Sequence, residues 1–294
     1  MANVNVITAN PPHVSELRRT FKVMFSRWVV IVGTVIIVAL ILVAILAPFL
    51  APYDPNEQHL TKVRVPPGHE FKLGTDDLGR DVLSRLIYGS RISLLVGIVA
   101  ITIAGIVGVA LGLTAGYYGG WIQAVIMRII DSLMAIPPII LIMAIAAVLG
   151  AGLFNVLIAI GVGLTPTYTR LMCGQILALK ENDYITAAKS IGASNPRIML
   201  VHLLPNSFPP MLVLITLNMG TAILMEATVS FIGVGIAPPT ATWGAMINTG
   251  YAYVLTDPLL SFLPGVAILL VCLAFNMVGD GLRDALDPRL RGTL

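Results

Sequence analysis

Charge is scarce in this sequence. Asp, Glu, Lys and Arg make up 11% of its 294 residues, against about 25% in soluble globular chains. That excludes an ordinary water-soluble domain. Cysteine is scarcer still. Cys173 and Cys272 lie far apart, in or beside apolar runs, which excludes a disulfide framework and a cysteine-based metal site. There is no His/Cys cluster and no glycine-rich loop ending in Gly-Lys-Ser/Thr, so the chain carries no ATP-binding signature and no expected cofactor of its own. No Ser/His/Asp set or metal constellation supports an intramembrane enzyme. The net charge is only +3 and the bases are spread along the chain, so nucleic acid is not an expected partner. The first 27 residues are polar and precede an apolar run too long for a signal h-region, so they read as a tail rather than a signal peptide.

What the chain has instead is apolar length. Hydrophobic residues are 57% of it and the mean hydropathy is +0.90, the composition of a multi-pass, all-α protein in a lipid bilayer. Six spans are predicted, at about 28–50, 92–115, 124–149, 153–172, 208–231 and 259–278. The first has 23 residues without a charge, enough to cross ~30 Å of hydrocarbon. The second carries Gly108-x-x-x-Gly112, a spacing that lets helices pack closely. The third is interrupted by Pro137-Pro138, which implies a kink. The segments then read as a tail at 1–27, a first transmembrane helix at 28–50, a polar segment at 51–90 ending in an interfacial helix, a core of five helices at 91–283 and a tail at 284–294. Basic residues set the orientation. Arg18, Arg19, Lys22 and Arg27, then Arg170, Lys180, Lys189 and Arg197, then Arg283, Arg289 and Arg291 all fall on one side. Both termini and the 180–206 loop are therefore expected in the cytosol. The 51–90 segment is long and its six acids offset its five bases, so it is expected outside.

The loop is the most polar island within the core, and its local signals agree. Asn182 or Asp183 suits a helix start. Ile185, Ala188 and Ile191 share one helix face. Gly192 suits the left-handed position just past a helix end. Asn195 and Pro196 open a second helix, which Pro205 stops or turns into the next apolar run. The pair Ala187-Ala188 leaves room for another surface. With Gly192 and Leu204-Pro205, this pair resembles the cytoplasmic "EAA" loop of ABC importer permeases. The family often has Glu where this chain has Thr186.

The resemblance extends through LGTDDLGRDVLSRLIYGSRISLLVG at 73–97, MRIIDSLMAIP at 127–137 and FNMVGDGLRDALDPRLR at 275–291. The chain looks most like the second of two paired permeases in the dipeptide/oligopeptide/nickel branch. That implies a type I importer fold in a bacterial cytoplasmic (inner) membrane. It implies a sister permease, two cytosolic ATPase subunits that bind the ATP and Mg, and an extracytoplasmic binding protein that delivers peptide. It also assigns Asp183, Tyr184, Thr186, Ala187, Ala188, Gly192, Ala193 and Pro205 to contact with an ATPase. Nickel or another small chelate as cargo, or an ion-coupled carrier, are the alternatives. Asp131, Asn218 and Glu226 lie within spans, where ionisable groups default to function. A translocation path and a structural role are both open for them, and Arg128, three residues before Asp131, is its expected partner.

Overall fold

The computed structural model describes residues 23–286. Arg18, Arg19, Lys22, Arg289 and Arg291 of the orientation count lie outside the described residues. The chain forms α1 (Trp28–Ile45), the single turn α2 (Ala47–Leu50), α3 (Val82–Tyr118), α4 (Gly120–Met134), α5 (Pro138–Leu149), α6 (Leu153–Leu179), α7 (Asp183–Ser190), α8 (Asn195–Ile232), α9 (Trp243–Tyr251) and α10 (Leu259–Leu286). Five of these are long and apolar enough to cross a bilayer, and α4 with α5 makes a sixth crossing if counted as one span.

The central contact is α3 against α6. Gly108, Gly112 and Gly116 recur every four residues along α3 and lie directly on α6. A Cβ at Gly112 would sit 2.5 Å from the Thr169 carbonyl oxygen and 2.6 Å from Met172 Cβ. The missing side chains let the two backbones approach, so dispersion contacts replace lipid contacts over several turns. Tyr168, Met172 and Ile176 are buried in that seam. The helices α8 and α10 meet through Gly220, whose Cβ would reach the Cys272 backbone at 3.1 Å. The helix α1 joins α10 through Gly33, beneath Ala274 and Met277.

Two expectations about helix ends are corrected, and the kink expected at the proline pair is present. The interfacial helix and the second span are one uninterrupted helix, α3. It starts where Asp81 accepts hydrogen bonds from the Ser84 amide and hydroxyl, both 2.7 Å. The proline pair at 137–138 turns the chain by 91°, so α4 and α5 are separate rods. Pro205 neither stops nor turns its helix. A π-helical stretch, Ile198–Leu203, runs straight into it. Pro205 lacks an N–H, and the wider i→i+5 turn before it breaks the regular bonding register where that donor is missing.

The polar segment before α3 is a folded cap. Asp76 pairs with Arg80 at 2.7 Å and with Arg85 at 3.5 Å, with all three side chains nearly enclosed. Arg85 also donates to the Pro55 carbonyl at 2.9 Å. Tyr53, His59 and Phe71 cluster beside them. The Trp243 indole of α9 donates to the Leu86 carbonyl at 3.0 Å. Cap, α3 and α9 therefore form one packed end of the molecule.

Candidate functional site

The 180–206 loop is built as two helices at a fixed angle. The helix α7 begins at Asp183 after an extended Asn182. It ends with Ile191 as cap and Gly192 at φ +78°. The Gly192 amide bonds the Lys189 carbonyl and the Ala193 amide bonds the Ala188 carbonyl, both 3.0 Å. That pair of bonds is a Schellman motif, in which a left-handed residue satisfies the last carbonyls of the helix. Gly192 thus has the expected conformation.

Two side chains seat α7. Ile185 and Ala188 are buried in the same apolar cluster as Ile176, Ile198 and Leu203. Asp183, Tyr184, Thr186, Ala187 and Lys189 face outward. Ile191 does not share the buried face expected of it. The helix has ended by then, and Ile191 is 86% exposed at the tip of the elbow. Ala193 is half-buried against the core and Pro205 is exposed. Asn195 forms the first helical residue of α8 rather than its cap, a place taken by Ser194. Its side-chain oxygen instead accepts from the Tyr117 hydroxyl at 2.7 Å. With Lys180 donating to the Gly116 carbonyl at 3.3 Å, this ties the loop to the end of α3.

The three span residues do not form one site. Asp131 on α4 pairs with Arg170 on α6, not with Arg128. Both side chains of the pair are about half exposed, at 52% and 50%. Asn218 on α8 donates to the Tyr168 hydroxyl at 3.3 Å. Glu226 is buried, and its carboxylate accepts from the Ser230 hydroxyl at 2.8 Å. Ser230 in turn accepts from the Ile236 amide at 3.3 Å, so Glu226 braces the turn between α8 and α9. Arg170 was the residue missed as Asp131's partner. The signal was available, because a carboxylate inside a span needs a cation from another helix as much as from its own. Among the described residues no group of His, Cys, Asp and Glu is placed to hold a metal ion.

A bundle of crossing helices with a rigid helical elbow outside it is the architecture of a transporter's membrane subunit. Residues 108–292 match the family described as binding-protein-dependent transport system inner membrane component. Residues 15–67 match the N-terminal TM domain of oligopeptide transport permease C. The chain belongs to this family of ABC importer permeases. It is 45% identical to the dipeptide transport system permease protein DppC of Alkalihalophilus pseudofirmus, over 95% of this chain and 91% of that one. It is also 45% identical to the probable D,D-dipeptide transport system permease protein DdpC of Escherichia coli K12, over 89% and 88%. A glutathione transport system permease protein, GsiD of Escherichia coli O6:K15:H31, is 43% identical over 87% and 85%. Among solved structures, a chain of the MetNI methionine ABC transporter in inward-facing conformations superposes with a TM-score of 0.56. It is 20% identical over 69% of this chain and 96% of that one, a likeness of fold.

Proposed function

We propose that this chain is one of two membrane subunits of an ATP-driven importer of short peptides, working by alternating access. The peptide class rests on relatives named for dipeptide, D,D-dipeptide and glutathione transport. The coupling role rests chiefly on one observation. The outward-facing helix α7 is fixed to its own core by Ile185 and Ala188 and held at a set angle by Gly192.

In this reading Asp183, Tyr184, Thr186 and Ala187 meet a cleft on a cytosolic ATPase subunit, and Ile191 enters it. Thr186 supplies a hydroxyl where relatives often place a charge. Ala188 and Ala193 hold the hairpin against the rest of the chain, and Pro205, exposed near it, belongs to the same contact surface. ATP and Mg bind the two ATPase subunits. Their closure moves this loop and its counterpart on the sister permease, and the spans open towards an extracytoplasmic binding protein. Both termini lie in the cytosol of a bacterial inner membrane. Asp131 with Arg170 presents charge on an open helix face, which fits the wall of a watery path. Asn218 ties α8 to α6, and Glu226 braces the turn that follows α8.

The test is uptake of a labelled dipeptide into vesicles holding this chain, the sister permease, both ATPase subunits and the binding protein. Uptake is expected only with ATP and all subunits, and a nickel chelate should not compete. Peptide uptake driven by an ion gradient without the ATPase subunits would overturn the proposal.

A further inference from the structure

A recess of about 430 Å3 opens beside the start of α3, between the cap and the turn before α9. Asp54, Tyr88, Arg91, Ile92, Leu95 and Thr240 line it. It contains one cation and one anion, and neither has an ionic partner among the described residues. The Arg91 guanidinium lies 5.8 Å from the Tyr88 ring centre. Asp54 accepts the Asn56 amide at 2.7 Å within its own turn. Several other charges of the cap are paired: Asp76 with Arg80 and Arg85, and Lys62 with Glu70.

Helix geometry gives the depth of the recess. Tyr118 and Trp121 are exposed aromatics at the opposite end of α3, the kind that settle at a membrane interface. At ~1.5 Å per residue, 20 residues back from Tyr118 span ~30 Å and reach Ile98. Arg91 lies another ~10 Å along the helix. That is the headgroup layer of the leaflet on the cap's side. Below the recess the same face of α3 stays open and apolar. Leu95 is 40% exposed, Ile98 55% and Ile106 67%. Thr102 belongs to this stripe, and its hydroxyl bonds back to the Ile98 carbonyl at 2.7 Å, so no polar donor is left outward. Charge of both signs at headgroup height above a greasy track is the complement of an amphiphile with a zwitterionic head. A water-soluble peptide would have nothing to place on the track.

We propose that this recess is a specific site for a phospholipid of phosphatidylethanolamine chemistry. Its phosphate meets Arg91, its ammonium meets Asp54, and one acyl chain lies along Leu95, Ile98 and Thr102. An ammonium with N–H donors suits a carboxylate better than a quaternary amine does, because it adds charge-assisted hydrogen bonds. None of these residues belongs to the coupling loop or the Asp131–Arg170 pair.

The test uses the intact permease complex, stripped of lipid in detergent. It is titrated with phosphatidylethanolamine, phosphatidylcholine, glycerophosphoethanolamine without acyl chains, and a free dipeptide. Retained lipid is read by native mass spectrometry and thermal shift. The wild type should prefer phosphatidylethanolamine over phosphatidylcholine by about tenfold, equal to ~1.4 kcal/mol. Asp54→Asn should abolish that preference, and Arg91→Gln should weaken both lipids. Glycerophosphoethanolamine should bind far more weakly than the intact lipid. Equal affinity for both lipids overturns the proposal, as does wild-type binding in Arg91→Gln. Tight binding of the bare headgroup or the dipeptide would make this a site for a soluble zwitterion. Efficient cross-linking of Ile98→Cys to the sister permease would show that protein covers the track instead.

Discussion

Gly192 offers the sharpest test of coupling because its environment separates backbone from sterics. Its φ is +78°, and a Cβ added there would meet nothing within 4 Å. A substitution is therefore strained by conformation alone within this chain. Holding alanine in the left-handed region costs about 1 kcal/mol relative to glycine. A β-branched valine costs more, about 2 kcal/mol. Those energies lower the ratio of intact to opened elbow by a factor of ~5 and ~30. Asparagine visits the left-handed region more readily than other residues with a side chain, so it should lose least. The expected order for peptide uptake by the reconstituted complex is Gly, then Asn, then Ala, then Val. Subunit stoichiometry should stay constant, because the spans are held by their own packing. ATP hydrolysis in Gly192→Val should lose its response to loaded binding protein. If Asn fails as badly as Val, the partner surface rather than the backbone sets the tolerance. Normal uptake in Gly192→Val would refute the elbow's role altogether.

The seam between α3 and α6 makes a different demand. Gly112→Leu drives a side chain into the Thr169 carbonyl and Met172, and overpacking of that kind costs ~1–3 kcal/mol or more. Its thermal unfolding midpoint should fall well below wild type, whereas Gly105→Ala, with nothing within 4 Å of the added atom, should be neutral. For orientation, a cysteine at Ile191 should react with an impermeant thiol reagent only from the cytosolic side, and one at Leu255, 95% exposed, only from outside. The opposite pattern would discard the proposed coupling side. The purified chain alone should show no saturable ATP binding in a filter assay.

The parts legible in the sequence were those fixed by local chemistry. Gly192 was found because few residues tolerate a left-handed helix end. Gly108 and Gly112 were found because close packing in lipid has a short sequence signature. The misreadings came where tertiary structure overrode local punctuation. The polar start of α3 looked like a separate helix because its charges read as a boundary. In the structure Arg85 and Asp81 are absorbed by the cap, so nothing interrupts the hydrogen-bond ladder. Pro205 looked like a stop because the π-helical register ahead of it cannot be seen in residue types. Asp131's partner lay 39 residues away, and helix periodicity reports only neighbours three or four positions off. The Asp54–Arg91 recess is likewise a product of chain reversal.

The unbroken path through Pro205 has a mechanical meaning. At ~1.5 Å per residue, the 38 residues of α8 form a lever about 57 Å long. One end stands at the elbow and the other at the turn braced by Glu226. If the whole helix turned as one body about its elbow end, one degree of tilt would sweep the far tip through ~1 Å, as arc length on that radius. Pro205, Pro209 and Pro210 all fall near the elbow, where missing N–H donors soften the rod. The compliant section therefore lies near the elbow, and the stiffer 22 residues from Met211 to Ile232 form the arm beyond it, ~33 Å long at ~1.5 Å per residue. In the proposed coupling, a small rotation at the elbow would reach the far end of α8 enlarged by the length of the arm beyond the prolines.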